Sequence, residues 1–451
     1  MRLALGDDHG VWAAGARDYL QRGKPDIALT DSRADVVVTD SEMSATAPDD
    51  AWHLTDAAGA PLTNSPWVRD AVARRTPVEI QLRSRSLVLA AGRTDVRRNI
   101  SATVEVALRS AGPLIEMAAA AAVPVTAAVE RRPATAVSAG AAAFRGQSAF
   151  AGRVARAAAT YRQWGIARLP AGSVDALLTG TPGDCRDLTW HSPEPNRFWA
   201  DPCVVADDTG CWVFVEELDR TTGRGHIRAV RWEGSDLVPG GIVHSSHHHM
   251  SFPQVQFTGG RWLATVETCA ATNPVLTFDR PGEPWRLASD LPALPPHLAD
   301  PVLVIGADGL PQRVVATDAQ TSPDTNYVEH VRDGDRWVRT PSATYVDIAT
   351  ARGGGTRLPE VRAVQDCATV YGRALCLVPT RDWHGTVYGD PLAVLSGSDV
   401  DGDWTAGGVH TLTWTPDQEQ VWIDGWRRRP AVTGGYRRWV ERRHPRECDG
   451  T

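Results

Sequence analysis

Apolar and polar positions follow two different patterns along the chain, and the change falls near residue 160. On the N-terminal side, short apolar runs occur at Arg2–Gly6, Ala34–Thr39 and Ser86–Ala91. They alternate with stretches of helical spacing at Trp12–Gln21 and Val104–Ala121. Apolar runs of strand length that alternate with helical segments predict an α/β domain.

Beyond residue 160 the chain consists of short runs rich in Val and Trp that are cut by Gly, Asp or Pro, which is typical of many short strands. This part also repeats, in the units ADPCVVADDTGCWVFVEE, MSFPQVQFTGGRWLATVET and ADPVLVIGADGLPQRVVATD. The spacing is 51 residues from Pro202 to Pro253 and 48 residues from Pro253 to Pro301. Two more units begin at Val364 and Gly408. This period is typical of propeller blades.

Five units predict a five-bladed β-propeller, so the fold class is an α/β N-terminal domain followed by an all-β C-terminal domain. A propeller closes its ring to hide its sheet edges. Strands before the first unit, around Trp164–Leu169 and Asp187–His191, are expected to complete it. The predicted division is an α/β domain at 1–130, a loose linker at 131–160, the propeller at 161–430 and a C-terminal tail at 431–451.

The first strand of each propeller blade lines the central channel, so residues that begin the repeats are expected to converge on one pocket. Carboxylates and imidazoles in such a pocket can divide into acid, base and orienting roles. Two glutamates also end the second strand of their units, 14 residues after the repeat proline in both cases. The predicted catalytic residues are Asp201, Asp300, Asp366, Glu216 and Glu267. The predicted substrate-binding residues are His249, Ser251, Arg352, Gln365, His410 and Trp199.

Structural interpretations of the same residues stay open. An Asp before Pro at a strand start is a common turn device, and Glu216 and Glu267 could instead pair with Arg side chains between blades. The run His247–His249 alternates direction on a strand, so its members cannot all face one ion, and no metal site is predicted. Trp199 could stack on a sugar or pack between sheets.

Composition narrows the function classes further. Lys24 is the only lysine among 47 basic residues, so no buried Schiff-base lysine follows it, and no phosphate-loop motif occurs. The net charge is −7 and the arginines are spread along the chain, which does not fit a nucleic-acid partner. Seven cysteines form no CxxC pair, and the stretch Ala111–Val129 is interrupted by Glu116. We expect a cytoplasmic protein with no cofactor and no membrane span.

The motifs resemble a known family. FWADPCVV, VFVEE, GRGHIRAV, HMSFPQV, VETCA, ADPVL, ARGGGTRL, RAVQDCATVYGRAL, GVHTLTW and VWIDGWRRR are similar, in this order, to bacterial relatives of the N-terminal domain of plant glucosamine inositolphosphorylceramide transferases. The resemblance covers about Trp164–Arg429 and implies a propeller like that of the arabinanase and β-xylosidase clan. It implies Asp201 as the base, Asp300 as the orienting aspartate and His410 as a residue near a channel ion. The fourth unit offers Asp366 and no clear acid Glu.

The N-terminal domain resembles a formyltransferase, because LAAGRTDVRRNISATVEVALRSAGPLIEMA is similar to the end of that domain in bacterial members of the family. Formyltransferases use an Asn-x-His arrangement. The only histidines before residue 150 are His9 and His53, and neither has that setting. The resemblance therefore implies a degenerate, structural domain that does not bind folate.

The leading hypothesis is a carbohydrate-active enzyme that makes or breaks a glycosidic bond on a small-molecule or glycan substrate, in polysaccharide or specialised-metabolite biosynthesis. A non-catalytic propeller that binds a glycan or a partner protein is the first alternative. A non-hydrolytic tailoring reaction in the same channel is the second. Fold alone does not choose among them.

Overall fold

The computed structural model allows the fold to be followed through most of the sequence. The structure describes residues 2–5, 28–29, 36–39, 52–62, 65–84, 87–120, 138–180, 185, 187–193, 196–268, 273–357, 361–380, 391–400 and 403–430. The predicted helix at Trp12–Gln21 and the predicted C-terminal tail lie outside the described residues. No helix in these ranges is long and apolar enough to cross a membrane.

The N-terminal region contains a six-stranded mixed sheet. Its strands are β1 (Arg2–Leu5), β2 (Ala28–Leu29), β3 (Val36–Thr39), β4 (Trp52–Asp56), β5 (Val78–Ser84) and β6 (Leu87–Thr94). They lie in the order β2-β1-β3-β4-β5-β6. The pairs among β1 to β4 are parallel, whereas β4, β5 and β6 pair antiparallel. The three apolar runs of the sequence fall on β1, β3 and β6.

Helices accompany this sheet and lead into the next region. The described α-helices are α1 (Pro66–Arg74), α2 (Ile100–Arg109), α3 (Ala111–Ala120), α4 (Ala139–Ala159) and α5 (Ser173–Leu178). Helix α4 occupies most of the stretch predicted as a loose linker. Its composition is rich in Ala, the strongest helix former, and the Ser138 hydroxyl accepts the Ala141 N–H at 3.2 Å as an N-cap. Gly146 permits close packing, because a Cβ there would lie 2.3 Å from the Arg98 carbonyl oxygen.

The region after α4 is almost entirely β. Its strands are β7 (Thr160–Leu169), β8 (Trp190–His191), β9 (Arg197–Asp207), β10 (Gly210–Asp219), β11 (Arg224–Trp232), β12 (Leu237–His244), β13 (Met250–Thr258), β14 (Arg261–Thr268), β15 (Val275–Phe278), β16 (Arg286–Leu287), β17 (Leu298–Ile305), β18 (Pro311–Asp318), β19 (Asn326–Asp333), β20 (Arg336–Arg339), β21 (Tyr345–Val346), β22 (Gly353–Arg357), β23 (Val361–Asp366), β24 (Ala374–Pro379), β25 (Ala393–Ser396), β26 (Leu412–Trp414) and β27 (Val421–Pro430). A short 3-10 helix spans Pro341–Ala343.

Three antiparallel sheets follow the three repeats. They contain β9 to β12, β13 to β16, and β17 to β20 with β21 paired to β19. A fourth, eight-stranded sheet has the order β25-β24-β23-β22-β26-β27-β7-β8. Its two antiparallel halves meet at a single parallel pairing, Gly355 with Leu412. One strand from each sheet, or from each half of the fourth sheet, contacts the next in cyclic order: β9, β13, β17, β22 and β26, with β26 returning to β9. We call these the first strands. The predicted start of the fourth unit, Val364, lies one strand later, in β23.

The ends of the β region are joined by strand pairing. β27 pairs antiparallel with β7 at ten positions, from Val421 opposite Leu169 to Pro430 opposite Thr160. β8 continues the sheet beyond β7. Chain segments from the beginning and the end of the region therefore form one sheet.

The N-terminal region packs directly on the third sheet. Leu54, Ile80 and Leu114 share one apolar core with Val302 and Tyr345. Two ion pairs cross the same contact. Arg93 donates two hydrogen bonds to the Asp347 carboxylate, at 2.8 and 2.7 Å, and Arg339 lies 3.1 Å from Glu116. Apolar burial and charge pairing both hold the two regions together.

Candidate functional site

Asp201, Phe252 and Asp300 occupy the same position in three successive sheets. Each precedes a proline and lies in a bulge of the first strand of its sheet. Their φ angles are 50°, 48° and 49°, in the left-handed region. Such a backbone costs about 1–3 kcal/mol for a residue with a side chain, and residues of this kind cluster at functional sites. A bulge also redirects the side chain at that point of the strand.

A carboxylate receives the N–H of each of these bulged residues. The Asp201 N–H donates to Asp424 Oδ2 at 3.0 Å, and the Phe252 N–H donates to Asp201 Oδ2 at 3.1 Å. The Asp300 N–H donates to Glu267 Oε2 at 3.0 Å. Because each acceptor comes from the preceding sheet, these carboxylates connect the first strands around the axis.

His410 and Asp424 form the centre of one cluster. The nearest carboxylate oxygen of Asp424 lies 2.6 Å from His410 Nδ1, while Asp201 Oδ1 lies 3.4 Å from His410 Nε2. Asp424 Oδ1 also accepts the Thr411 N–H at 2.8 Å, and the Thr411 hydroxyl donates to Asp201 Oδ1 at 2.9 Å. All four residues are buried. Asp424 thus orients an imidazole whose other nitrogen faces Asp201.

Two aromatic rings cover the imidazole of His410. The Trp164 ring stacks on it with centroids 4.1 Å apart, and the Tyr371 ring meets it edge-on at 5.3 Å. Gly372 leaves room for this packing, since a Cβ there would lie 2.8 Å from the His410 Cβ. The aromatic contacts fix the plane of the imidazole and exclude water from one side of it.

Burial and charge shift the pKa values of this cluster. Burial raises the pKa of Asp201; His410 acts against it, and Asp424 and Asp300 add to it. Burial alone would lower the pKa of His410, but the carboxylates of Asp424 and Asp201 outweigh it, so the pKa is raised. A positive charge on His410 therefore persists above the ordinary titration range of histidine.

Among the described residues, these three side chains form the group whose possible metal-ligand atoms lie close together. One donor atom each from Asp201, His410 and Asp424 lies within 4.8 Å of the others. His410 already hydrogen-bonds Asp424 through Nδ1, and its Nε2 lies 3.4 Å from Asp201. A cation bound among them would have to displace the proton of His410, so the arrangement fits a hydrogen-bonded Asp–His–Asp group.

Arg352 forms the centre of a second cluster. Its Nε donates to Asp300 Oδ2 at 2.6 Å and its Nη1 to Asp324 Oδ1 at 2.7 Å, while Nη2 lies 3.7 Å from Glu267 Oε2. The guanidinium also lies 4.8 Å from the Tyr371 ring centroid. One buried cation therefore holds three carboxylates from β14, β17 and the segment before β19.

Burial raises the pKa of Asp300 well above its ordinary value, with Arg352 opposing and Glu267 adding to the effect. Burial would lower the pKa of Arg352, but Asp300, Tyr371 and Asp324 together raise it well above its usual range. Burial also raises the pKa of Tyr371 well above its ordinary value. Arg352 stays charged, and Asp300 resists ionisation.

Gln365 joins the second cluster, and its neighbour Asp366 does not. Gln365 Nε2 donates to Asp300 Oδ2 at 3.1 Å and to the Gly353 carbonyl at 2.6 Å. Adjacent side chains on a strand point to opposite faces. The Asp366 carboxylate accordingly accepts the Ala368 N–H at 2.9 Å and pairs with Arg373. The structure places Asp366 at a turn, away from the residues that its catalytic prediction grouped it with.

Glu216, His249 and Ser251 lie near the start of β13. His249 Nδ1 accepts the Gly225 N–H at 2.9 Å, and its Nε2 lies 3.4 Å from Glu216 Oε1. Ser251 is the register partner of Glu267. Glu216 and Glu267 thus occupy matching ends of their strands, as the spacing predicts. One is paired with an imidazole and the other with a guanidinium.

Trp199 packs inside the first sheet. Its ring is 5% exposed, lies among residues such as Val213, and donates its indole N–H to Glu217 Oε2 at 2.9 Å. Burial alone would raise the pKa of Glu217, but hydrogen bonds from His226, Arg228 and Trp199 lower it to about 2. This is the packing interpretation left open by the sequence, and it leaves no ring face for a sugar.

Several site residues were not predicted from the sequence: Thr411, Asp424, Asp324 and Tyr371, with Trp164 predicted only as part of a closing strand. A signal for Asp424 exists in VWIDGW, where a single carboxylate interrupts a run of buried apolar residues. Carboxylates are almost never fully buried unless they are paired. No comparable signal marks Tyr371, which lies in a loop between β23 and β24.

The comparisons with known proteins give distant similarities to solved structures. No protein-family model and no curated protein matches the chain. A GH43_1 enzyme from Xanthomonas citri is 12% identical, with a TM-score of 0.36 over 53% of this chain and 91% of that one. The RS223 β-xylosidase is 10% identical over 51% of this chain and 93% of that one, with a TM-score of 0.34. MPT-1, a GDP-Man-dependent mannosyltransferase from Leishmania mexicana, is 10% identical over 51% of this chain and 85% of that one, with a TM-score of 0.29. Similarities at this level assign neither the fold nor the activity.

Proposed function

We propose that the chain is a five-bladed propeller enzyme that makes or breaks a glycosidic bond at the axis of the ring. The five-blade assignment is supported by the cyclic contacts of the five first strands and by the β7–β27 pairing that joins the ends. The activity rests on one observation. Asp201 and Asp300 enter the axis from equivalent left-handed bulges in different sheets, and each is tied to its own cation.

The two aspartates have different charge environments, which suits a division into acid and base. The pKa of Asp300 is raised well above its ordinary value, mainly by burial, which favours a protonated carboxyl that can donate to the glycosidic oxygen. The pKa of Asp201 is also raised by burial, but the neighbouring His410 favours its ionised form. Asp201 then takes the proton of the attacking hydroxyl, which belongs to water or to an acceptor sugar.

For the N-terminal region we propose a structural role. Its shared core with the third sheet and the Arg93–Asp347 pair give it a large contact that does not need chemistry of its own. Within the described part of this region, His53 lies buried in β4, so its imidazole is not accessible for formyl transfer. Binding and turnover of a formyl-folate donor by the purified protein would contradict this assignment.

The decisive test compares Asp201→Asn with Asp366→Asn, a matched buried aspartate outside both clusters. Each protein is incubated with activated glycosides and with nucleotide sugars, alone and with acceptor sugars. If wild type turns over a substrate, Asp201→Asn should lose roughly a hundredfold or more of the rate. Asp366→Asn should stay within a few-fold of wild type. Equal rates for wild type and Asp201→Asn would remove Asp201 from the mechanism.

A binding function is the second candidate, and one observation favours it. The Asp201 carboxylate already accepts hydrogen bonds from Phe252 and Thr411, so it can act as a connector between sheets. A connector predicts no turnover in wild type and a lower melting temperature in Asp201→Asn. The same panel of substrates, combined with thermal melting, separates the two functions.

A further inference from the structure

A small cavity lies beside Asp300, lined by residues of β17, β18, β19, β22 and β23. Its volume for the centre of a water molecule is about 10 Å³, which is about the space that one buried water needs. Gly353 lines it without a side chain, and a Cβ there would lie 3.1 Å from the Asp300 Cβ. The cavity therefore has room for about one water-sized molecule next to a carboxyl group of the axial site.

Asp300 contributes the first polar group of this cavity. The residue is buried, and two side chains donate hydrogen bonds to its carboxyl. Arg352 Nε donates at 2.6 Å and Gln365 Nε2 at 3.1 Å, and both bonds end on Oδ2. The other carboxyl oxygen, Oδ1, forms no hydrogen bond with a residue that the structure describes. It is left to interact with a further group.

Arg362 contributes a buried guanidinium. Its described hydrogen bonds, to the Tyr345 hydroxyl and the Thr350 carbonyl, both use Nη2. The N–H groups of Nε and Nη1 have no acceptor among the described residues, and in the same part of the chain Arg362 forms no ion pair. Glu329 acts on it electrostatically but pairs with Arg313, at 3.1 Å. Arg362 therefore keeps hydrogen-bond donors available on its cavity-lining side chain.

Tyr327 contributes the third polar group. It is buried, lines the cavity and lies with its ring centroid 4.4 Å from the Arg362 guanidinium. Its hydroxyl forms no hydrogen bond within the described ranges. Three buried residues that share one cavity thus each keep a polar atom without a described partner, whereas the large majority of buried polar atoms in folded proteins have one.

The charges around the cavity decide what can fill it. An anion would lie beside the Asp300 carboxyl, and a cation would lie beside the Arg362 guanidinium, so each ion is opposed by one of the two groups. A water molecule suits both, because its oxygen accepts from N–H groups and its protons can be donated to carboxyl or hydroxyl oxygens. Buried waters typically make about three hydrogen bonds to groups that otherwise lack a partner.

We propose that this cavity binds one water molecule, which hydrogen-bonds Arg362, Asp300 and Tyr327 and so positions the Asp300 carboxyl. The water makes Arg362 an indirect cationic partner of Asp300, in addition to the direct partner Arg352. The binding site stands on the cavity and its three polar groups. Only the consequence for catalysis rests on the function proposed above.

The first experiment is a high-resolution crystal structure of the full-length protein, determined with and without bromide. We expect one density peak in the cavity, at about 2.7–3.2 Å from an Arg362 nitrogen and from an oxygen of Asp300, and no anomalous signal from bromide there. A cavity without density would overturn the proposal. So would an anomalous peak, because it would identify an anion site.

The second experiment removes one hydroxyl and keeps the ring. Tyr327→Phe should lower the melting temperature by on the order of 1–2 °C, because the water loses a hydrogen bond. Tyr161→Phe is the matched control, since the Tyr161 hydroxyl also lacks a partner among the described residues but does not line the cavity. It should melt like wild type. A Tyr327→Phe protein that melts at or above the wild-type temperature would contradict the proposed water contact.

Kinetics tests the consequence for catalysis. If wild type turns over a substrate, Tyr327→Phe should lower kcat roughly threefold or more with KM unchanged, because the water orients the carboxyl without touching substrate. Equal kcat values would reject the positioning of Asp300. A water in the cavity of a protein without turnover would retain the site and reject the enzyme, whereas turnover by a protein whose cavity lacks density would reject the site alone.

Discussion

The axial site has two halves. Each half pairs buried carboxylates with a cation, and the cation differs between them. We define the histidine half as Asp201, His410, Thr411 and Asp424, and the arginine half as Glu267, Asp300, Asp324, Arg352 and Gln365. Each half buries an aspartate in a left-handed bulge. His410 faces two carboxylates in the first half, and Arg352 faces three in the second.

The difference lies in which partner can change its charge. Arg352 keeps its proton at any pH at which the protein is folded, so the arginine half changes charge only through its carboxyls. The histidine half can also lose its cation, because imidazole is the side chain that titrates nearest to neutral pH. The charge beside Asp201 therefore depends on pH in a way that the charge beside Asp300 does not.

The largest expected effect follows from removing the cation of the arginine half. Arg352→Met leaves Asp300, Asp324 and Glu267 buried or half-buried without their shared partner, which should cost about 3–5 kcal/mol of unfolding free energy at pH 7. Urea denaturation measures this loss. Because the pKa of Asp300 is raised, the loss should shrink on acidification as that carboxyl becomes neutral. Arg373→Met removes a half-exposed partner of Asp366 and should cost about 1 kcal/mol or less. Equal costs would contradict the central role of Arg352.

The second-largest expected effect is a pH-dependent loss of unfolding free energy when His410 is replaced. The hydrogen bond between charged His410 and Asp424 should contribute about 1.5–3 kcal/mol, which His410→Gln removes. The pKa of His410 is raised in the folded protein, so this contribution is fully present below the unfolded value of about 6.5. As pH rises above that value, the unfolded chain loses its proton first and the contribution falls. It disappears once the folded imidazole also titrates.

Unfolding free energies from pH 5.5 to 9 check this expectation. The gap between wild type and His410→Gln should be largest at the acidic end and should narrow as the pH rises. Arg373→Met, whose pair contains no histidine, should run parallel to wild type across the same range. A gap that is constant with pH would show that His410 does not carry the charge of its half.

The smallest expected loss of unfolding free energy follows from removing the uncharged hydrogen-bond donors. Thr411→Val removes the hydroxyl that donates to Asp201 and should cost about 1 kcal/mol. Gln365→Leu removes donors to both Asp300 and the Gly353 carbonyl and should cost about 1–2 kcal/mol. If Thr411→Val costs as much as His410→Gln, the two halves do not differ mainly by their cations. Thermal and urea melts of the four proteins give the ranking.

The repeat pattern of the sequence predicted part of this site. The repeated proline places Asp201 and Asp300 in equivalent strands, and the structure adds that both lie in bulges with the same φ. The fourth unit was predicted one strand too late: Gln365 and Asp366 were expected to begin a first strand, but they end β23, the strand after β22. There Gln365 contacts Asp300 and Asp366 faces the turn. A period-2 strand exchanges faces with every residue, so unit boundaries alone cannot choose between neighbours.

Contacts between distant chain segments bring in site residues that the sequence did not predict. Asp424 acts on Asp201 across more than two hundred residues, because β27 joins a sheet with the first strands of the region. No local pattern encodes that contact. The helix at α4 was missed for the opposite reason: its Ala-rich stretch has strong helix propensity, but it carries no apolar stripe, so it was interpreted as a linker.

The pairing of β7 with β27 also has a consequence for the nascent chain during translation. β7 leaves the ribosome early, but its partner strand is not complete until Pro430. At about 5–20 residues per second, the interval lasts roughly 10–60 s. Throughout it, the apolar side chains of β7, including Trp164 and Ile166, lack their partner strand, and an unpaired strand edge invites association with other chains. Chaperone protection of this strand edge therefore matters for the whole interval between synthesis of β7 and synthesis of β27.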